Sequence, residues 1–385
     1  MLRPIVIAVS ATFFSASAFW MFLPLLALSL RNKDVGDFWV GVISGLPWIG
    51  LLAMSGFIPA IARRIGLQRM VLLGMVTTAV VFVGFARLHN LLLWGLLCLV
   101  MGGALALRWA GMDTWINSSF PNHMRGSLTG LYELILSGSM AVGPGILALS
   151  DSVGPVPFIA GAVTTAAAAI LLLFAGQEAG HLTRQLLPKR RREILRHEPA
   201  AFIGIFLVGF TEAGNLSLLP LFGLSHGLSA HLSALLVTAV QSGVALGAVL
   251  IGSLSDHLDH QKLRNVTIFC MIVLPFGLVL SAHGTLWPWL LAWGIAQGGL
   301  FTLGIVQLAS RHFGLELASA MSLSMIVYTI GGVVGPPTLG LSMNLAGPHG
   351  FTAGITLVAC AGALAISRFQ STRPPCRPGN SSFAE

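Results

Sequence analysis

The sequence is short of charged residues. Only 9% of its 385 residues are charged, whereas a soluble chain of ordinary composition has roughly 25%. Apolar runs long enough to cross a bilayer, about 20 residues each, recur from one end of the chain to the other, and the mean hydropathy is +0.85. The shortage of charge excludes an ordinary soluble protein and predicts a chain that lies in a membrane.

The apolar runs also lack the alternation of polar and apolar residues that a membrane β-strand shows. Lipid cannot hydrogen-bond free backbone groups, so a spanning segment must be a helix or part of a closed barrel. Because the alternation is missing, we expect an all-α membrane protein.

Cysteine is scarce, and the motifs of enzymes are missing. The four cysteines have no paired or metal-type spacing. No phosphate-binding loop, His or Cys cluster, or serine nucleophile motif is visible in the sequence. The net charge of +8 comes from residues in short gaps between apolar runs. We therefore expect no cofactor, no metal site, no enzymatic activity and no nucleic-acid partner.

Twelve apolar helices are predicted, six in each half of the chain. They lie near residues 4–30, 38–61, 70–87, 90–117, 125–149 and 155–175, and near 200–222, 231–254, 264–283, 286–309, 316–341 and 350–368. The predicted domains are an N-terminal six-helix bundle over 1–178 and a basic cytoplasmic linker over 179–199. A C-terminal six-helix bundle over 200–370 follows, and then a disordered cytoplasmic tail over 371–385, rich in Pro, Ser and Gly.

Lysine and arginine are distributed unevenly among the predicted loops. With both termini on one side, seventeen of the 21 basic residues lie on that side and three on the other, while Arg108 lies within a helix. Loops rich in Lys and Arg stay in the cytoplasm. We expect a multi-pass protein of the cytoplasmic (inner) membrane with both termini cytoplasmic, and with the basic segment 189–192 held against anionic membrane lipid.

The two halves of the chain match each other at several positions. The matches, taken in chain order, indicate a duplication. Two parallel six-helix halves joined by a loop are typical of transporters. An offset of 196 residues relates Pro24 to Pro220, Gly56 to Gly252 and Tyr132 to Tyr328, and an offset of 192 relates Gly143-Pro144 to Gly335-Pro336.

The loop after the predicted eighth helix carries a motif. It reads Gly252, three residues, Asp256, then Asp259 and the basic residues Lys262 and Arg264, and it resembles the signature loop of the major facilitator superfamily. The resemblance implies twelve transmembrane helices in two pseudo-symmetric six-helix bundles, and transport by alternating access. Glycine would let two helices approach closely, and Asp256 would latch the two halves together on the inner side.

The equivalent loop in the first half departs from this pattern. Gly56, Arg63, Arg64 and Gly66 keep the glycines and the positive charges, but the usual aspartate is missing. In this respect the chain resembles the YcaD-type subgroup of the superfamily. The departure leaves the first-half latch without its usual acid.

Two glycine–proline pairs also carry the resemblance. Gly143-Pro144 in the predicted fifth helix resembles the motif that bends a helix in antiporters, and Gly335-Pro336 is its counterpart in the eleventh. Proline bends a membrane helix because it frees a backbone carbonyl, while glycine allows close packing.

Glu212 lies near the middle of the predicted seventh helix. Ionisable residues inside a membrane are costly and usually functional. One interpretation is a carboxyl that takes up and releases a proton as a central cavity alternates between the two sides. The other is a protonated acid that only hydrogen-bonds a kinked helix. We favour proton exchange because of the depth of the residue.

Three more charged residues lie within the predicted helices. Arg108 and Glu133, on consecutive helices, either neutralise each other or couple to solute or protons. Asp113 lies nearer the inner rim, where we favour a gating salt bridge with one of the arginines at 63, 64 and 69. The neutral polar residues of the eighth and tenth helices either line the cavity or join helices; they are Gln241, Gln297 and Gln307.

These observations predict a secondary transporter that moves a small organic solute by alternating access, coupled to protons through Glu212 with help from Arg108 and Glu133. Export is favoured over uptake, because few polar residues face the cavity and the segments are very apolar. The solute, protons and membrane lipid are the expected partners of a monomer. A membrane sensor or receptor that shares the fold but does not transport is the alternative.

Overall fold

The computed structural model describes residues 2–119, 125–149, 154–175, 191–280 and 286–371. Within these ranges the side chains of residues 2–4, 116–131, 133, 191, 280, 314, 315, 370 and 371 are outside the described part. The side chain of Glu133, the basic segment at 189–190, most of the predicted linker and almost all of the predicted tail therefore lie outside it.

The described ranges contain fourteen helices. Eleven of them are long and apolar enough to cross a membrane, and in α6 the apolar part is the shorter Leu134–Leu149. Each of the twelve predicted spans corresponds to one long helix. The helices are α1 Leu2–Arg31, α2 Asp37–Ser55, α3 Ile58–Ile65, α4 Leu67–Arg87, α5 Leu91–Ser119, α6 Arg125–Leu149, α7 Pro155–Leu173, α8 Arg191–His197, α9 Pro199–Ser225, α10 Ala230–Ser255, α11 His260–Leu280, α12 Leu286–Arg311, α13 Gly314–Ala346 and α14 His349–Ser371.

The long helices form two bundles with the same internal arrangement. In the first bundle α2 packs on α5, α4 on α7 and α1 on α6; in the second, α10 packs on α12, α11 on α14 and α9 on α13. These pairs correspond when α1, α2, α4, α5, α6 and α7 are matched in order with α9 to α14. The predicted fold of two pseudo-symmetric six-helix bundles is confirmed.

Two short helices were not predicted. The second predicted helix, 38–61, was drawn too long, because α2 ends at Ser55 and α3 begins separately with Pro59 in its first turn. Helix α3 is amphipathic: Ala62 is buried and Arg63 and Arg64 are exposed. It ends at Gly66, whose φ of +83° is a left-handed conformation that favours glycine. Helix α8 lies within the predicted linker.

The two bundles meet closely at one end of the molecule. We call the end at which α1, α6, α9 and α13 begin the linker face, and the other end the opposite face. Towards the opposite face α2 packs against α13 with no room for side chains between the backbones: a Cβ on Gly41 would strike the Pro336 carbonyl, and one on Gly340 would lie 2.4 Å from the Asp37 carbonyl oxygen. This run of contacts between α2 and α13 is the α2–α13 seam.

Candidate functional site

A cavity of about 550 Å³ lies between the two bundles. Its lining residues come from the first two thirds of α1, α6, α9 and α13 and from the second half of α5, α10 and α12, so it lies towards the linker face. The α2–α13 seam and the packing of α6 on α10 close it off from the opposite face. The lining residues are Thr12, Trp20, Leu105, Arg108, Trp109, Met112, Asp113, Tyr132, Leu136, Ser137, Met140, Val208, Glu212, Val244, Ala248, Gly298, Phe301, Thr302, Ile305, Val306, Met325 and Tyr328.

Glu212, the predicted proton site, is part of the wall of this cavity. It lies in the middle of α9 and is 3% exposed. Gln241 of α10 donates a hydrogen bond from Nε2 to Glu212 Oε1 over 3.3 Å. The hydroxyl of Tyr328, from α13, lies beside the same carboxyl and interacts with it. The acid is therefore held by an amide and a hydroxyl, one from each neighbouring helix.

Gln241 and Gln297 were predicted either to line the cavity, with a part in proton coupling, or to join helices, and neither is among the lining residues. Gln297 Oε1 instead accepts a hydrogen bond from Asn215 Nδ2 over 3.1 Å. Gln241, Asn215 and Gln297 are all buried between α9, α10 and α12. Gln241 therefore meets the cavity wall through the Glu212 carboxyl, while the Asn215–Gln297 pair joins α9 to α12.

The first bundle contributes a second group of polar side chains. Arg108 of α5 is buried and donates a hydrogen bond from Nη1 to Ser15 Oγ over 3.2 Å. Asp113, five residues further along α5, accepts a hydrogen bond of 2.7 Å from the Tyr132 hydroxyl of α6. The predicted pairing of Arg108 with Glu133 concerns a side chain outside the described part.

Both tyrosines of the chain are in the cavity wall, and each faces a carboxyl. Tyr132 bonds Asp113 in the first bundle, and Tyr328 contacts Glu212 in the second. The offset of 196 residues relates the two tyrosines, but the two acids come from non-equivalent helices, α5 and α9. The prediction used the tyrosines only as evidence of duplication; their scarcity was the signal that could have marked them as functional.

The residues predicted to act in gating lie at or near the linker face. Asp113 points into the cavity rather than forming an ion pair with Arg63 or Arg64, which are exposed on α3. Asp256 caps the C-terminal end of α10 and is exposed, and no ion pair of its side chain occurs in the described ranges. Since the cavity is on this side of the molecule, the predicted latch contacts are not made in this conformation.

Asp259 has a local structural role in the same loop. Its carboxylate accepts hydrogen bonds from the backbone N–H groups of Gln261 and Lys262 at 2.7 and 3.0 Å. These bonds, that of Lys262 first, hold the pKa of Asp259 below its usual value. The carboxylate thus caps the first turn of α11.

The predicted close approach at the loop glycines is not seen. A Cβ on Gly56 would meet no atom within 4 Å, and one on Gly252 would make an ordinary contact with Thr302 Cγ2 at 3.5 Å. The glycine–proline pairs are the tighter sites. Gly143 is in close contact with α1, where an added Cβ would lie 2.8 Å from Met21 N, and Gly335 meets the backbone of Phe210 on α9. Pro144 lies within α6, and Pro336 is part of the seam.

A buried polar network at the linker end of the second bundle was missed. Arg311 Nη1 lies 2.8 and 3.0 Å from the two carboxylate oxygens of Glu198. Gln307 donates to Glu198 over 2.5 Å and accepts from Arg264 over 2.8 Å. Of the two interpretations of Gln307, joining helices is therefore correct. Glu198 was counted as part of the linker, and only its position before a helix-initiating proline hinted at an ordered role.

The described residues offer no group of three His, Cys, Asp or Glu side chains that could hold a metal ion. The titratable groups of the cavity wall are two carboxyls, one guanidinium and two phenols, set among aromatic and aliphatic side chains.

Comparison with known proteins identifies relatives over nearly the whole chain. A family model described as the Major Facilitator Superfamily matches residues 5–336. The chain is 25% identical over 351 residues to the "Uncharacterized MFS-type transporter YfkF" of Bacillus subtilis (strain 168), covering 88% of each chain. It is 21% identical over 348 residues to the MFS-type transporter YcaD of Escherichia coli O17:K52:H18 (strain UMN026 / ExPEC), covering 89% of each. Its fold is similar to the crystal structure of the nucleoside transporter NupG, with a TM-score of 0.78 at 14% identity, covering 96% of this chain and 98% of that one.

Proposed function

Because the chain belongs to the Major Facilitator Superfamily, we propose that it carries a small organic solute across the membrane by alternating access, exchanging a proton at Glu212. The relatives named YcaD confirm the resemblance drawn from the first-half loop, and membership of a transporter family confirms that the protein is not an enzyme. The observation that carries the proposal is Glu212 itself, an acid in the middle of a spanning helix on the wall of the cavity between the bundles.

The surroundings of Glu212 suit a carboxyl that changes its protonation state. Its contacts, Gln241 and Tyr328, are neutral, and in the described part of the chain no cation touches it. Removal from water favours the neutral form of a carboxyl, whereas water or a cationic group of a solute in the cavity would favour the ionised form. Glu212 would therefore hold a proton when the cavity is closed and dry and release it when the cavity is hydrated or occupied.

The cavity indicates the kind of solute. Its volume of about 550 Å³ lies within the roughly 300–1,000 Å³ of typical small-molecule sites. The wall is mostly apolar. Its aromatic and methionine side chains include those of Trp20, Trp109, Phe301, Met112, Met140 and Met325. Aromatic and methionine surfaces suit a compact, largely apolar organic molecule. We propose such a solute, and export as the direction, with the protein working as a monomer.

The proposed orientation places the linker face in the cytoplasm. The basic residues concentrated on that side, including Arg63 and Arg64 on the amphipathic α3, agree with the excess of positive charge on cytoplasmic loops. In that orientation both termini are cytoplasmic, the conformation described here receives solute from the cytoplasm, and the basic segment 189–192 lies near anionic lipid.

Flux measurements with Glu212→Gln test the proposal. A thermal-shift screen of compact apolar organic compounds would first identify a solute, since a bound solute stabilises the folded state. Uptake of that solute into proteoliposomes is then measured with and without an imposed pH gradient. We expect the variant to bind the solute and exchange it downhill, but to lose accumulation driven by the gradient, because glutamine keeps the hydrogen bonds and cannot carry a proton.

Glu198→Gln is the matched control, since it removes another buried glutamate that lies outside the cavity. It should lower the melting temperature and leave the response to the gradient intact. A Glu212→Gln protein that still accumulates solute fully would show that the proton is carried elsewhere. A parent protein that binds solute without any flux would favour the sensor alternative.

A further inference from the structure

Trp48 reaches from the first bundle to the tyrosine that faces Glu212. Its indole is 1% exposed and lies edge-on to the Tyr328 ring, with the ring centroids 5.8 Å apart. The Tyr328 ring also meets the ring of Phe301 of α12, with the ring centroids 5.8 Å apart. Tyr328 thus contacts a ring from each bundle, and its hydroxyl interacts with the Glu212 carboxyl.

Trp48 is also the deepest member of the α2–α13 seam. The two helices run antiparallel, so the contacts follow one another from the opposite face inwards and end at the cavity wall. Alternating access moves one bundle against the other around a central site, and the opposite face can open only if this seam parts. The contacts, in order, are Gly340 with Asp37, Gly41 with Pro336, Gly45 with Val333 and Gly332 with Trp48.

We propose that Trp48 and Tyr328 are positioning residues for the proton site at Glu212. Trp48 holds the Tyr328 hydroxyl against the carboxyl while the seam is closed, and releases it when the seam parts. A hydroxyl that donates to a carboxylate favours the ionised form. Glu212 therefore gives up its proton more readily while the cavity is accessible from the linker face, and holds it more tightly once the opposite face opens.

This inference rests on the proposed role of Glu212 as the proton carrier, and it gives that role a direction. Protons are taken up from the opposite face and released at the linker face. If the linker face is cytoplasmic, this is the direction in which an inward proton gradient would drive the cycle, and a solute leaving the cell would move against the proton.

Few other groups can set the protonation of Glu212. Among the helices that pack on α9, α10 brings Gln241 to the carboxyl and α13 brings Tyr328. From α12, Gln297 bonds Asn215 of α9 and not the carboxyl. Helices α1, α2, α8 and α14 bring no charged group to the carboxyl in the described ranges, while Arg108, Asp113 and Tyr132 lie in the other bundle's part of the cavity wall.

Infrared spectroscopy of the purified full-length protein in lipid nanodiscs tests the inference with protons as the only ligand. The C=O stretching band of protonated Glu212 is identified by its loss in Glu212→Gln and is followed as the pH is varied. In Tyr328→Phe we expect the midpoint of this titration to move to higher pH by about one unit, a tenfold change in proton affinity, because a hydrogen bond to the ionised form is lost.

Trp48→Leu should move the midpoint in the same direction. Gly332→Ala provides a second route to the same change without removing the indole, because the added methyl would lie 2.6 Å from Trp48 Cδ2 and must displace the ring. In the double variant Trp48→Leu/Tyr328→Phe the two shifts should not add, since both act through one hydroxyl.

Two variants are controls for loss of an aromatic group elsewhere. Tyr132→Phe removes the tyrosine that bonds Asp113, and Trp293→Leu removes a fully buried tryptophan of the second bundle that packs on Phe351. Neither should move the Glu212 band. If Tyr328→Phe moves the midpoint while Trp48→Leu and Gly332→Ala both leave it unchanged, the seam does not act on the proton site and the inference is wrong. If no titrating band depends on Glu212, the proposed proton role itself fails.

Discussion

At the scale of single residues, the ion pair between Glu198 and Arg311 allows a clear test of stability. Glu198 is buried and accepts both bonds from Arg311, which is about half exposed. Hydrogen bonds to charged groups contribute more than neutral ones, but solvent screens the exposed arginine. We expect Glu198→Gln to lower the free energy of unfolding by about 1–2 kcal/mol, seen as a lower melting temperature of the purified protein.

Asp256→Asn is the control for that measurement. Asp256 is exposed and makes no ion pair in the described ranges, so its melting temperature should match that of the parent. Equal melting temperatures for both variants would mean that the Glu198 network does not hold the linker ends of α9, α11 and α12 together. A slower transport cycle in Asp256→Asn would support the latch predicted from the loop motif.

At the scale of helices, the α2–α13 seam decides which face is closed. The methyl of Gly41→Ala has no room beside the Pro336 carbonyl, and overpacking of this kind costs about 1–3 kcal/mol. The cost falls on the conformation with the seam closed, so the equilibrium should move about 5–150-fold towards opening of the opposite face.

Labelling of a cysteine in the cavity measures that shift. With the four native cysteines replaced by alanine, Ser137→Cys places a thiol in the cavity wall. Its reaction with a membrane-impermeant maleimide from the linker face should slow in Gly41→Ala. Gly36→Ala is the matched control, because a Cβ on Gly36 meets nothing within 4 Å. Equal labelling rates in the two variants would contradict a closed seam as the barrier at the opposite face.

At the scale of the whole molecule, the orientation in the membrane can be tested directly. In the same cysteine-free background, a cysteine at the exposed Asn32, between α1 and α2, should react with an impermeant reagent in intact cells. One at the exposed Arg64 of α3 should react only after the cells are opened. The reason is the excess of positive charge on the linker face. The reverse pattern would invert the proposed orientation and with it the direction of proton movement.

The site residues that could be predicted from the sequence are the charged side chains within apolar helices, because burying a charge in a membrane is energetically costly. Glu212 and Arg108 stood out because charge inside an apolar helix needs a reason, and both are in the cavity wall. Asp113 stood out for the same reason, but its bonded partner was not foreseen: the prediction chose arginines at the same rim of the membrane, whereas Tyr132 on the next helix bonds the carboxyl. Trp48 could not be predicted as a site residue, since a tryptophan in an apolar helix can pack equally well against lipid.

The sequence by itself determined the membrane location, the twelve long helices and the twofold repeat. Each depends on hydropathy and spacing along the chain, because a bilayer imposes the same length and polarity on every span. Only the tertiary structure decided which residues meet: that Tyr328 contacts both Glu212 and Trp48, that Gln297 bonds Asn215, and that the seam closes the opposite face. The sequences of equally apolar helices do not show which helices pack together or how each is rotated about its axis. Those features are set by the packing of small residues and the pairing of polar residues when the helices associate.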